Sequence, residues 1–135
     1  WNLVQQIKTT RGISSDDQNI YEKLVERLPK LLSHGEIPSL IHGDLWSGNY
    51  MYSNRGPALI DPACYYADRE MELGMMKLFG GFSAAVWNAY AEEFPLPEGW
   101  KQRIRLYQLY HVLNHYLLFG GSYGWEALEI AKEYL

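Results

Sequence analysis

The octet HGDLWSGN, residues 42–49, constrains this chain more than any other stretch. It sets an acid, Asp44, and an amide, Asn49, five residues apart among two glycines, directly after the apolar run Ser39-Leu40-Ile41, which reads as a short buried strand. Two aromatic or apolar triplets follow, Tyr50-Met51-Tyr52 and Ala58-Leu59-Ile60, separated by the turn formers Ser53-Asn54-Arg55-Gly56-Pro57. That is the signature of a β-hairpin. Its second arm is expected to run to Asp61, with Pro62 preventing the strand from continuing. Such a hairpin returns the chain to where it left Asn49, so Asp44, Asn49 and Asp61 can converge.

Outside this hairpin the periodicity is helical. From Ser15, the residues Ile20, Leu24, Val25, Leu28, Leu31 and Leu32 recur at three and four positions, and Ser15 with Gln18 has the spacing of a capping box. Pro29 is expected to kink or restart that helix, and Gly35 with Pro38 to close it. Four more helices are predicted at about 68–79, 83–94, 100–119 and 125–135, with Gly80-Gly81 and Gly120-Gly121 as stops. The fold class is therefore mainly α with a small β-hairpin.

With 135 residues, the chain fits one domain, residues 1–135. No stretch is long and apolar enough for a membrane span, and a net charge of −4 without a basic-aromatic run disfavours a nucleic-acid surface. Cys64, the single cysteine, excludes an internal disulfide and suits a reducing cytosol, so the expected location is cytoplasmic; it is read as a packing cysteine. The first residue is Trp1, with neither a starting Met nor a signal-like segment, which suggests part of a longer protein.

Asp44, Asn49 and Asp61 carry a specific chemistry when taken together. Phosphoryl transfer to an alcohol needs a carboxylate at the acceptor hydroxyl and oxygen ligands for a divalent metal on the phosphates. The spacing follows the general kinase catalytic loop His-Arg-Asp-Leu-x-x-x-Asn, with Gly43 in place of Arg, followed by a metal-binding Asp after a short hairpin. On this reading Asp44 orients the hydroxyl and accepts its proton, Asn49 and Asp61 hold Mg²⁺ on ATP, and His42 braces the loop. Asp44 or Asn49 alone would read as an ordinary turn residue; the three at this spacing do not. Gly43 removes the usual cationic partner of an activation-loop phosphate, and 62–67 is too short for such a loop, which favours a small-molecule kinase over a regulated protein kinase.

HGDLWSGN, with LIDPACYYADREMELGMMKLFGGF at 59–82, resembles the fructosamine/ketosamine-3-kinases, relatives of the aminoglycoside and choline kinases. Trp46 and the run Phe79-Gly80-Gly81-Phe82 point to this branch. The resemblance implies the C-terminal lobe of a protein-kinase-like, aminoglycoside phosphotransferase-like α+β fold. It further implies ATP-dependent phosphorylation of the sugar 3-hydroxyl of ketoamines, carried on small amines or glycated protein lysines, in deglycation and protein repair. It places the catalytic base at Asp44, the metal and nucleotide ligands at Asn49 and Asp61, and a residue steadying the catalytic loop at Glu72. Trp46 is the expected substrate contact, because an aromatic face stacks on the apolar face of a sugar; the alternative is a core tryptophan beneath the loop. Asp68, Glu70 and Glu72 could draw in a substrate amine, although carboxylates at a helix start are also favoured by its dipole.

A glycine-rich strand loop and a phosphate-binding Lys, usually on an N-terminal lobe, are not found in this sequence, and Lys8 is expected in an unpaired N-terminal segment. The chain is therefore expected to lack its nucleotide-binding lobe and to be inactive alone. The alternatives are an aminoglycoside- or choline-type kinase and a non-catalytic pseudokinase-like binding module. His111 and His115, at helical i,i+4 spacing, are read as bracing the core or bordering the acceptor pocket rather than as metal ligands.

Overall fold

The computed structural model describes residues 1–35 and 37–135. In chain order the elements are α1 (Asn2–Arg11), α2 (Ser15–Leu31), β1 (Ser39–Ile41), a 3₁₀ turn (Ser47–Asn49), β2 (Tyr50–Ser53), β3 (Gly56–Leu59), β4 (Tyr65–Ala67), α3 (Glu70–Leu78), α4 (Ala84–Glu93), α5 (Trp100–Phe119) and α6 (Tyr123–Glu133). The described residues thus form six helices and two small antiparallel sheets, a mainly helical fold with the expected hairpin. They group into two compact units, Trp1–His34 with Arg105–Leu135, and Gly35–Ile104.

The first unit is helical. Val4 and Ile7 of α1, Tyr21 and Leu24 of α2, Val112 and Leu113 of α5, and Ala127, Ile130 and Ala131 of α6 are among its buried residues. Residues 2–11 are a helix rather than the unpaired segment expected, and Arg11 in its last turn donates to the carbonyls of Leu117 (3.0 and 3.1 Å) and Leu118 (2.9 Å). Those carbonyls lie at the end of α5, where helices leave acceptors unpaired and favour a cation. The capping of α2 lies one residue earlier than predicted: Ser14 is the N-cap and its Oγ accepts from Asp17 N–H at 3.1 Å. Pro29 sits in the last turns of α2, and the helix runs through it to Leu31.

The second unit holds both sheets. In the hairpin, Tyr50 pairs with Leu59 and Ser53 with Gly56, so the second arm ends at Leu59, two residues before the predicted limit. The other sheet joins β1 to β4, with Ser39 opposite Ala67 and Ile41 opposite Tyr65. β4 had no counterpart in the predicted helical run after the hairpin, and α3 accordingly begins at Glu70. Leu73 and Met76 of α3 and Ile104 of α5 form the buried centre, with Leu45, Phe82, Val86, Trp87, Tyr90, Leu96 and Trp100 packed around it. Leu45 therefore anchors the 42–49 loop in the core through its own side chain. Cys64 is exposed, correcting its reading as a packing residue.

Candidate active site

The 42–49 loop is held from three directions. Below it, Glu72 in the first turn of α3 is buried and accepts the backbone N–H groups of His42 at 2.6 Å and Gly43 at 3.1 Å. A carboxylate taking two amide donors is a strong, charge-assisted arrangement. On the hairpin side, His42 Nε2–H donates to Ile60 O at 2.9 Å and Asn49 O accepts Ile60 N–H at 3.0 Å. Beyond the hairpin, Ala63 N–H donates to His42 O at 2.8 Å. With Nε2 carrying the proton, His42 Nδ1 is left as an acceptor, and the Asp44 amide lies 3.4 Å from it. Both imidazole nitrogens thus face backbone groups of the site.

Gly43 shows why the position of the kinase Arg is a glycine here. Its φ is +82°, and a Cβ would fall 2.6 Å from Ala63 O and 2.7 Å from the Tyr65 ring. A side chain has neither the conformation nor the space.

Within the loop, Asn49 is buried, and its Nδ2 donates to Asp44 O at 2.9 Å and to Asp44 Oδ2 at 3.3 Å. These bonds fix the amide: its nitrogen faces Asp44, and its carbonyl oxygen Oδ1 is turned away as the remaining acceptor. On Asp44, Oδ2 takes the Asn49 bond, leaving Oδ1. Asp61 is exposed, and the bonds of Ile60 to Asn49 and Ala63 to His42 bracket it, so the backbone brings it beside the loop. Its φ of +52° makes it the one non-glycine residue with positive φ among those described.

Trp46 is 41% exposed, so it is not buried beneath the loop. Its ring lies over Gly48, where a Cβ would come within 2.2 Å, and meets Phe79 edge-on at 6.4 Å between centroids. The Phe79-Gly80-Gly81-Phe82 turn packs along the same loop: a Cβ on Gly81 would fall 2.3 Å from Ser47 Oγ, and Phe82 lies 6.2 Å from the Tyr50 ring. Both sequence features that distinguish the branch are thus one packed structure.

The other acids at the start of α3 are engaged. Asp68 Oδ1 accepts Glu70 N–H at 2.9 Å, a local helix-start bond. Glu70 is fully buried and paired with Arg103 through two bonds of 2.5 and 2.8 Å. Glu70 is therefore closed to a substrate amine. Arg103, which the sequence reading did not single out, carries no local signal, since its partner lies 33 residues away. In the first unit, His115 Nδ1 contacts His111 O at 2.7 Å, and the His115 ring packs on Phe119 and Tyr123 at 5.6 and 5.2 Å. Among the described residues, no three His, Cys, Asp or Glu side chains gather as a metal cluster, and no helix is long and apolar enough to cross a membrane.

Comparison with known proteins adds to this geometry. A family model described as fructosamine kinase matches residues 2–135. A Vibrio vulnificus protein named probable ketoamine kinase is 45% identical over 124 residues, which cover 91% of this chain and 41% of the relative. The Arabidopsis thaliana protein-ribulosamine 3-kinase, chloroplastic, is 44% identical over 138 residues, covering 98% of this chain and 42% of that protein. A Thermobifida fusca crystal structure named putative fructosamine-3-kinase matches with a TM-score of 0.89 at 36% identity, covering 97% of this chain and 46% of its own. The chain thus spans under half the length of these relatives.

Proposed function

This chain belongs to the fructosamine kinase family, and from that premise we propose that it carries the phosphotransfer loop of a ketoamine kinase, with Asp44 as the base. The observation that carries the reading is the Asn49 amide, which holds Asp44 through both its backbone and its carboxylate while turning its own carbonyl oxygen away.

In this mechanism Asp44 Oδ1 receives the sugar 3-hydroxyl, aligns its oxygen for attack on the terminal phosphate of ATP and takes its proton. The Asn49 bond to Oδ2 keeps that carboxylate from rotating. Glu72 and His42 act through the backbone, setting the height and direction of the loop. The donor types also suit Mg²⁺: Asn49 Oδ1 and the Asp61 carboxylate are hard oxygen ligands of the kind that hold the ion beside nucleotide phosphates, whose charge it neutralises when bound. Trp46, half open over Gly48, offers its indole to the sugar ring.

The names of the relatives support a ketoamine as acceptor; that it is carried on small amines or protein lysines, with deglycation as the outcome and a reducing cytosol as the setting, is part of the proposal. We further propose that adenine and most phosphate contacts come from an N-terminal lobe outside this chain. The test is ADP release with Mg²⁺ by the full-length protein on ribosylated and fructosylated lysines, aminoglycosides and choline, with the 135-residue chain assayed beside it. Turnover on glycated lysines by the full-length protein alone is expected. Activity confined to aminoglycosides or choline would overturn the acceptor, and turnover by the short chain would overturn the missing lobe.

A further inference from the structure

The helical unit contains a cavity of about 280 Å³ that the phosphotransfer reading does not use. Its wall includes Asp17 and Tyr21 of α2, Tyr116 of α5, and Gly124, Trp125 and Leu128 of α6. Three features of this wall converge on one kind of ligand.

The first is charge. Asp17 is the only charged side chain on the wall, and no Lys, Arg or His among the described residues pairs with it. Its backbone N–H is already satisfied by Ser14 Oγ. The helix start contributes only about half a positive charge, which a full carboxylate exceeds. An anion would sit against this carboxylate, whereas a cation would be drawn to it.

The second is Tyr21. It is only 5% exposed, it lines the cavity, and no group among the described residues hydrogen-bonds its hydroxyl. The hydroxyl is not sealed off, so a donor or acceptor entering the cavity can meet it. Burial foremost, then the Asp17 charge and Tyr116, holds this phenol well above its ordinary pKa, so it stays protonated and can both donate and accept.

The third is the aromatic lining. Tyr116 lies across Gly124, where a Cβ would come within 2.7 Å of its ring, so the glycine lets the ring approach the wall. Trp125, at 69% exposure, is an open indole at the same cavity. Aromatic faces attract cations within about 6 Å of the ring centroid, and most strongly on tryptophan.

We propose that this cavity binds a primary alkylammonium group: Asp17 supplies the counter-charge, Tyr21 Oη accepts an ammonium N–H, and Tyr116 and Trp125 flank the cation and its alkyl stem. The volume suits a small ligand, being just below the range of about 300–1,000 Å³ for drug-sized sites. The inference is independent of the proposed phosphotransfer reaction.

The test is an NMR titration of the protein with ¹⁵N-labelled tryptophan, following the Trp125 indole signal as pentylammonium is added at constant ionic strength. 1-Pentanol and tetramethylammonium serve as the neutral and the N–H-free comparators, and Trp125→Leu identifies the signal. A saturable shift with pentylammonium and none with 1-pentanol is expected. Asp17→Asn, which keeps the backbone N–H that caps α2, should weaken binding by about tenfold or more. Tyr21→Phe removes a single oxygen and should weaken pentylammonium while leaving tetramethylammonium unchanged. That ratio decides the matter even if Asp17→Asn does not fold. No saturable shift, equal binding of 1-pentanol, or a Tyr21→Phe ratio equal to wild type would overturn the proposal.

Discussion

Asp61 holds a φ of +52°, a conformation that side chains with a Cβ rarely adopt. Residues in such positions cost about 1–3 kcal/mol and gather at functional sites, where the surroundings impose them. Here the imposing bonds are those of Ile60 to Asn49 and Ala63 to His42, one on either side. Asp61→Gly should therefore raise stability by about 0.5–1 kcal/mol, because glycine adopts positive φ without strain. The same substitution removes the proposed metal ligand, so activity should fall as the melting temperature rises. Thermal melts and ADP release on the full-length variant check both halves. Glu72 behaves oppositely: Glu72→Ala leaves one buried and one part-buried amide donor without their acceptor and should cost about 2–3 kcal/mol, read by denaturant unfolding.

At the scale of elements, the start of α3 organises the second unit. Glu72 reaches the loop, Glu70 reaches Arg103, and the Arg69 guanidinium takes the carbonyls of Phe94 at 2.8 Å and Pro95 at 2.5 Å while lying 4.3 Å over the Phe94 ring. One helical turn thus ties together the 42–49 loop, the end of α4 and the start of α5. Arg103→Met would leave the Glu70 carboxylate buried without its partner, and denaturant unfolding should show a loss of about 3–5 kcal/mol. Much of this was readable beforehand. The predicted 100–119 helix matches α5, and the hairpin was marked by turn formers between two apolar triplets. What escaped depended on distant partners. α1 buries only Val4 and Ile7, too few to make a helical period, and its Arg11 acts on carbonyls at the far end of the chain. β4 is three residues long and exists by pairing with β1, which no local pattern announces. For the candidate site, residue types and spacing singled out Asp44, Asn49 and Asp61, whereas the crowding around Gly43 and the left-handed Asp61 are tertiary facts.

At the scale of the whole molecule, a buried phenol, Tyr21, and a half-buried one, Tyr134, set a limit on alkaline stability. Tyr21 is raised by burial foremost, and Tyr134 is raised by burial against the opposing effect of the Leu106 N–H, which donates to its hydroxyl at 3.0 Å. In the unfolded chain both ionise near pH 10, about a tyrosine's ordinary value. Their folded forms keep the proton longer, so this stability is fully present below about pH 10 and is lost as pH rises beyond it. Melting temperatures across that range should fall, and the decline should be shallower in Tyr21→Phe combined with Tyr134→Phe. The central claim, however, rests on Asp44. The most direct measurement is the kcat of ADP release on a glycated lysine by the full-length protein carrying Asp44→Asn, beside its melting temperature and nucleotide affinity. A fall in kcat of about a hundred- to ten-thousandfold with the other two unchanged is predicted; a kcat equal to wild type would contradict the account.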